Sequence, residues 1–332
     1  MVLGGSGLIG RAVTRRLLGA GWAVDITGRD PERVPQDLLD GGAAFAAIER
    51  SDDAGLRTLL DPGADLLVDC VCYTADQARS LLPMLADVRS TVMLSGKAVY
   101  VDSAGYHLNS DTPPRFDGPI TEDTPTMAPG DMPYDSREGY GANKVAAERV
   151  LLDSGHPVTV IRASKVHGEG ALPAREWYFV RRILDGRPIV VLADRGRGVD
   201  HTTAAVNIAA LTETVADAPG ARILNCADPD APDVRTIAAT IASHLGHTWD
   251  EVLLDDSPAD GTGHTPWSAR SPMVLDTSAA VALGYRPVGG YAETLTDTID
   301  WLIRTADAQR ALDDPYFDGR FDYAAEDALM RG

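Results

Sequence analysis

Met1-Val2-Leu3-Gly4-Gly5-Ser6-Gly7-Leu8-Ile9-Gly10 is the stretch on which the fold turns. Its first three residues are apolar and read as a strand, while Leu8, Ile9, Val13, Leu17 and Leu18 recur at helical spacing. Glycines at 4, 7 and 10 give such a junction a tight turn, close approach of a pyrophosphate to the backbone, and close packing of helix on strand. The turn also bares backbone N–H groups at a helix N-terminus, where an anion is favoured. Gly4, Ser6, Gly7, Leu8, Ile9 and Gly10 are therefore the candidate cradle for the phosphates of a nucleotide. Taken alone, the motif also fits an ordinary structural turn. Met1-Val2-Leu3 leaves only three residues for a strand that ought to be central, against a usual length of about five. The expectation is a native start upstream of Met1 or a strand cut short at its base.

Outward from the turn, short apolar runs at 23–27, 43–48, 66–73, 91–94 and 158–162 alternate with helical segments. That alternation predicts an α/β fold, a doubly wound parallel sheet with helices on both faces. Between Val101 and Gly139 lies a Pro/Gly/Asp-rich stretch too long for an ordinary connection. Such loops cover active sites or are disordered. The helix that starts at Tyr140 should end near Gly155, a suitable C-cap ahead of His156-Pro157. Beyond Arg162 the pattern breaks into shorter pieces, with a further strand run at 222–226 and a late helix at 291–303. This reads as a nucleotide-binding domain over 1–163 with 200–228, and a smaller C-terminal substrate lobe over 164–199 with 229–332. The acidic, aromatic end from about Leu312 reads as a docked tail.

The 332 residues carry a net charge of −19. Nucleic acids and anionic membranes are bound through surplus Lys and Arg, so neither is an expected partner, although a local basic patch is compatible with the total. Cys70 and Cys72 alternate along an apolar run and Cys226 stands apart. An odd number of cysteines without metal spacing suits reduced thiols and no metal site. No charged segment followed by an apolar core opens the chain, and no apolar run approaches a membrane span. The expectation is a soluble, cytoplasmic protein.

The second informative motif is Tyr140-Gly-Ala-Asn-Lys144. Residues at i and i+4 share a helix face, so a phenol and an ammonium can meet there. A cation beside a phenol favours the phenolate and draws a pKa of about 10 towards working pH, which suits proton transfer. An exposed helix with a chance Tyr and Lys is the bland alternative.

Five features occur in order: Gly4-x-x-Gly7-x-x-Gly10; Ser95-Gly-Lys-Ala-Val-Tyr100; Pro119-Ile-Thr-Glu-Asp-Thr-Pro125; Tyr140-x-x-x-Lys144 with Ala147-Glu148; and Arg162-Ala-Ser-Lys-Val-His-Gly168. On these features, from Met1 to about Ile303, the chain resembles the extended short-chain dehydrogenase/reductases, the group containing NDP-sugar epimerases and dehydratases. The resemblance implies a Rossmann fold and an acid/base role for Tyr140. It gives Lys144 the tasks of lowering the Tyr140 pKa and holding the nicotinamide ribose. Relatives place a catalytic Ser or Thr four residues before the Tyr of Val99-Tyr100, where this chain has Gly96, and Ser95 is one position off. Strand residues alternate faces, so three options stand. Ser95 serves through a local bend, which is the favoured option; Ser103 or Ser164 substitutes; or the substrate supplies its own hydrogen bond. Ser164 also counts among the cofactor contacts. Lys97, unusual at its place, reads as solvated or as a reach towards substrate or cofactor.

The same segment narrows the reaction. Related 4,6-dehydratases carry Asp-Glu directly after the catalytic hydroxyl, whereas Lys97 and Ala98 stand there in this chain, which argues against dehydration. Sugar-nucleotide epimerases usually show an Asn after the strand at 158–162, where this chain has Ala163 and Ser164. Arg175, Arg181, Arg182 and Arg270 are left as sources of charge for a diphosphate. NAD enzymes put a carboxylate at the end of the second strand, and an Arg there accommodates a 2′-phosphate. That position falls on Gly28, followed by Arg29, with Arg33 nearby. NADP(H) is therefore the favoured cofactor and NAD(H) the alternative. Glu49 resembles the acidic residue near adenine in relatives. The resulting reading is an NADPH-dependent reductase of a small-molecule ketone. An NDP-sugar 4-epimerase using bound NAD and a non-catalytic NADP-sensing binder are the alternatives. Relatives often pair through the helix that carries Tyr140, which makes a homodimer one option.

Overall fold

The computed structural model describes residues 1–306 and 314–329, which group into two compact units. The first comprises 1–164, 205–227 and 275–288. Its strands and helices alternate as β1 (Val2–Leu3), α1 (Leu8–Gly19), β2 (Asp25–Gly28), α2 (Gln36–Asp40), β3 (Ala44–Ala47) and α3 (Asp53–Leu60). They continue as β4 (Leu67–Asp69), α4 (Ala75–Leu81), β5 (Thr91–Gly96), α5 (Gly139–Leu152) and β6 (Val158–Ala163). The helix Ala205–Asp217 and the strand Arg222–Cys226 complete the layers. All seven strands are parallel, in the order Arg222–Cys226, β6, β5, β4, β1, β2, β3. This is the expected Rossmann-type α/β sheet. The strand order reverses between β1 and β4, and in such sheets ligands bind outside the carboxyl ends of the strands at that reversal.

β1 is two residues long and central. Val2 pairs with Ile26 on one side and Val68 on the other, and Leu3 with Thr27 and Asp69. Both side chains are essentially fully buried, so a short strand keeps its place by pairing twice and packing on both faces. The apolar run 66–73 yields a strand of only three residues, because the Asp69 carboxylate accepts the Val71 N–H at 3.0 Å and turns the chain. Cys70 and Cys72 therefore lie beyond β4 rather than alternating along it. The long segment 101–139 is ordered by polar side chains. Asp102 accepts the N–H groups of Ala104 and Tyr106 at 2.9 Å and of Arg115 at 2.8 Å. Glu122 accepts the Asn225 N–H at 2.7 Å.

The second unit comprises 165–204, 228–274 and 289–332. Its core gathers Trp177, Tyr178 and Phe179 with Val190, Leu192, Ile237, Trp267 and Leu302. The boundaries differ from the sequence reading by one residue at Ser164 and at Asp228, and by longer pieces in two places. Residues 200–204 belong here, since Thr202–Ala204 pairs in parallel with Lys165–His167. Residues 275–288 return to the first unit, where Leu275 bridges Ile120 and the Asn207 side chain accepts the Val288 N–H at 2.7 Å. Both pieces are too short for periodicity to reveal. The late helix is also two, Tyr291–Thr294 and Thr296–Arg304. Of the expected tail, 312–313 and 330–332 lie outside the described residues. Beyond them Phe317, Tyr316 and Phe321 pack on the core of this unit, and Arg182 donates to Glu326 at 2.5 Å. Among the described residues no helix is long and apolar enough to cross a membrane.

Candidate active site

The glycine turn stands at the carboxyl end of β1. Gly4 has φ +79°, and a Cβ at Gly10 would lie 2.2 Å from the Gly4 carbonyl oxygen, so neither position admits another residue without backbone movement. The Gly5 N–H donates to the Thr27 carbonyl at 2.9 Å and ties the turn to β2. α1 starts with Gly7 as N-cap, without a side-chain cap and without an acidic residue in its first turn. Its first N–H groups are thus left for a ligand, and the helix dipole there favours an anion. Ser6, Leu8 and Ile9 complete the turn. A Cβ at Gly28 would come within 2.9 Å of the Ser6 hydroxyl, so the end of β2 abuts the turn where the family's ribose-binding carboxylate would stand. Arg29 and Arg33 follow, exposed, and Glu49 is exposed beyond β3. These features fit a dinucleotide, with no carboxylate at the end of β2.

Tyr140 and Lys144 lie on the first turns of α5. Lys144 is 3 % exposed, and its ammonium donates to the carbonyls of Cys72 at 2.7 Å and Leu94 at 2.9 Å, the segments just past β4 and at the end of β5. No carboxylate stands at ion-pair distance from it among the described residues. Burial lowers its pKa, and Cys72, Asp69 and Glu148 offset this only partly. Tyr140 departs from the expectation that Lys144 pulls its phenol down. Burial, with the Tyr73 phenol nearby, pushes it up to about 12. The ammonium is turned to the two carbonyls, and desolvation sets the direction of the phenol's shift.

Ser95 is corrected. Its hydroxyl donates to Glu148 at 2.5 Å, and Glu148 is paired with Arg162 at 2.6 Å, all three buried. The cluster fastens α5 to β5 and β6, so the Ser95 hydroxyl is spent on Glu148 instead of being directed at Tyr140. The position that faces Tyr140 is Gly96, extended at φ −156°, where a Cβ would lie 3.9 Å from the Tyr140 hydroxyl. Of the proposed substitutes, Ser103 is exposed on the loop, and Ser164 follows β6 with its N–H donating to Cys226. Lys97 is buried rather than solvated, in a short turn after β5. Arg182 is committed to Glu326, and Arg181 pairs with Asp185 at 3.4 Å, so neither stands ready for a diphosphate.

Sequence reasoning missed three features. Tyr73 places its ring over the Lys144 ammonium, and no spacing rule links positions so far apart. Arg50 joins buried Asp69 at 2.9 Å and the Gln77 carbonyl at 2.7 Å, clamping the ends of β3 and β4. His107, buried, meets Glu138 at 2.8 Å beside a cleft of about 610 Å³ lined also by Val101, Tyr106 and Met127.

The sequence profile described as NAD dependent epimerase/dehydratase family matches residues 1–205. No curated protein matches the chain by sequence. Among solved structures, MoeE5 in complex with UDP-glucose and NAD is similar with a TM-score of 0.66 and 20 % identity, over 92 % of this chain and 98 % of that one. UDP-glucuronic acid 4-epimerase from Bacillus cereus, in complex with UDP-glucuronic acid and NAD, has a TM-score of 0.67 at 15 % identity, over 91 % and 98 %. dTDP-glucose 4,6-dehydratase from Bacillus anthracis, with NAD, has a TM-score of 0.67 at 16 % identity, over 92 % and 96 %. At these identities the likeness is one of fold.

Proposed function

The chain belongs to the NAD dependent epimerase/dehydratase family, and on that premise we propose that it epimerises an NDP-linked sugar, oxidising and re-reducing one carbinol carbon with a nicotinamide cofactor kept bound. The observation that carries this reading is the seating of Tyr140 and Lys144 on α5, with Lys144 reaching the ends of β4 and β5. The glycine turn and the uncapped start of α1 would hold the pyrophosphate of a dinucleotide, whose nicotinamide would accept and return the hydride. Tyr140 handles the proton: as phenolate it takes the proton of the substrate hydroxyl, and as phenol it returns it to the carbonyl oxygen. Burial pushes the phenol up to about 12, so it starts as the proton donor, and the oxidising half requires positive charge in the filled site to favour the phenolate. Lys97 and Ala98, in place of an acid/base pair, speak against loss of water. Support for a sugar nucleotide comes from two of the similar structures, solved with UDP-glucose or UDP-glucuronic acid and NAD.

A second reading, NADPH-dependent reduction of a small-molecule ketone, is favoured by one specific observation. No carboxylate stands at Gly28, and Arg29 is exposed just beyond it. Denaturing the purified protein and identifying the released nucleotide separates the two. The epimerase reading expects NAD, and conversion of a UDP-sugar without added reductant. Protein that holds no NAD and turns over ketones only with added NADPH overturns it in favour of the second.

A further inference from the structure

An ammonium has three N–H donors, and two of those of Lys144 are taken by carbonyls. The Tyr73 ring lies over the same nitrogen, 4.3 Å from it to the ring centroid, well inside the range at which an aromatic face attracts a cation. Tyr73 is itself held from two sides. Its N–H donates to the Gln77 side chain at 2.6 Å, in the capping box that starts α4. Its ring stacks on Tyr134 from the long loop, with centroids 5.2 Å apart and planes 20° from parallel. The anions that face Lys144 are engaged elsewhere. Asp69 on β4 is paired with Arg50, and Glu148 on α5 with Arg162. Cys70 and Cys72 are thiols that burial keeps protonated, and burial keeps the phenols of Tyr73 and Tyr140 neutral as well. The carbonyls and the ring are left to stabilise the charge.

We infer that Tyr73 is a positioning residue of this site: its ring, backed by Tyr134, closes the side of the Lys144 ammonium that the two carbonyls leave open and so fixes where that charge stands beside Tyr140. Its relevance to turnover rests on the acid/base reading above. The arrangement has a physical advantage over a carboxylate. A ring stabilises the cation without neutralising it, so Lys144 keeps its charge one helical turn from Tyr140.

The chain has three lysines, Lys97, Lys144 and Lys165, which makes the test direct. The full-length protein, labelled with ¹³C at the lysine ε-carbon, gives three signals, and Lys144→Arg assigns one. The Lys144 ε-protons should be shifted upfield by the Tyr73 ring. Tyr73→Leu should abolish that shift and move the Lys144 titration to lower pH by about half to one and a half units. Tyr73→Phe should restore both, and Tyr134→Ala, which removes only the half-exposed backing ring, should weaken the ring shift. Unmoved Lys97 and Lys165 signals report an intact fold. Lys144 signals that are unchanged in Tyr73→Leu, or in Tyr134→Ala if the former does not fold, overturn the inference. So does a Tyr73→Phe variant that behaves like Tyr73→Leu. Neither readout uses turnover, so failure of the acid/base reading, seen as full activity in Tyr140→Phe, is a separate result.

Discussion

Lys144 in the first unit and His167 in the second are buried to 3 % and 2 % exposure, yet their surroundings are opposite. His167 meets Asp228 at 3.0 Å, and Asp228 is fixed further by Thr202 at 2.7 Å and the Ala204 N–H at 2.6 Å. Burial works against a charged imidazole, but Asp228, Glu176 and Asp230 outweigh it and raise the His167 pKa. Lys144 has neutral partners only, and burial wins. A buried cation matched by a carboxylate is fixed structure, whose loss strands a charge. A buried cation left with carbonyls and a ring keeps a perturbed pKa in the place where chemistry can use it. That difference is what the acid/base role proposed for Tyr140 and Lys144 requires.

The largest expected effect is at Tyr140. Tyr140→Phe removes the transferable proton and keeps the ring, so turnover should fall by about 10² to 10⁴, with nucleotide affinity nearly unchanged in a binding titration. Ser95→Ala comes next and should act on stability. Losing a hydrogen bond to a charged group costs about 1.5–3 kcal/mol, seen in denaturant unfolding, while the folded enzyme should keep its turnover; a selective loss of turnover would return Ser95 to the chemistry. pH sharpens the comparison further. His167, with its folded pKa above the ordinary 6.5, contributes stability below that value and loses it as pH rises through the folded pKa. Asp228, held below the ordinary 3.8, contributes above that value and loses its share as pH falls through its folded pKa. Unfolding free energy should therefore decline on both sides of a plateau, and a His167→Gln variant should lose the alkaline decline. The smallest effect is at Gly96. Its backbone is extended and an added Cβ meets nothing closer than 3.5 Å, so Gly96→Ser should leave the melting temperature nearly unchanged. A large drop would show that the space beside Tyr140 is not free.

Much of the first unit was legible because its signals are local. The glycine turn, the Tyr140–Lys144 pair and the strand Arg222–Cys226 follow from spacing within a few residues. Ser95 was misread because face parity at a strand end depends on where the strand stops, and β5 runs on to Gly96. β4 ended early through a side-chain hydrogen bond of Asp69 that hydrophobicity does not encode. The Tyr140 pKa rises rather than falls because of burial, which the i, i+4 spacing does not encode. Tyr73, and the 275–288 segment that rejoins the first unit, depend on long-range packing that no short pattern reports.

The most direct test of the contrast sets Lys144→Met beside His167→Leu, each measured for unfolding free energy and for turnover per folded molecule. His167→Leu strands Asp228 and should cost about 3–5 kcal/mol. Lys144→Met replaces an unmatched buried charge by an apolar chain of similar length, so it should cost clearly less stability while turnover falls at least about a hundredfold, the scale of a lost proton-transfer group. A Lys144→Met protein as destabilised as His167→Leu, with its remaining folded fraction fully active, would contradict the account.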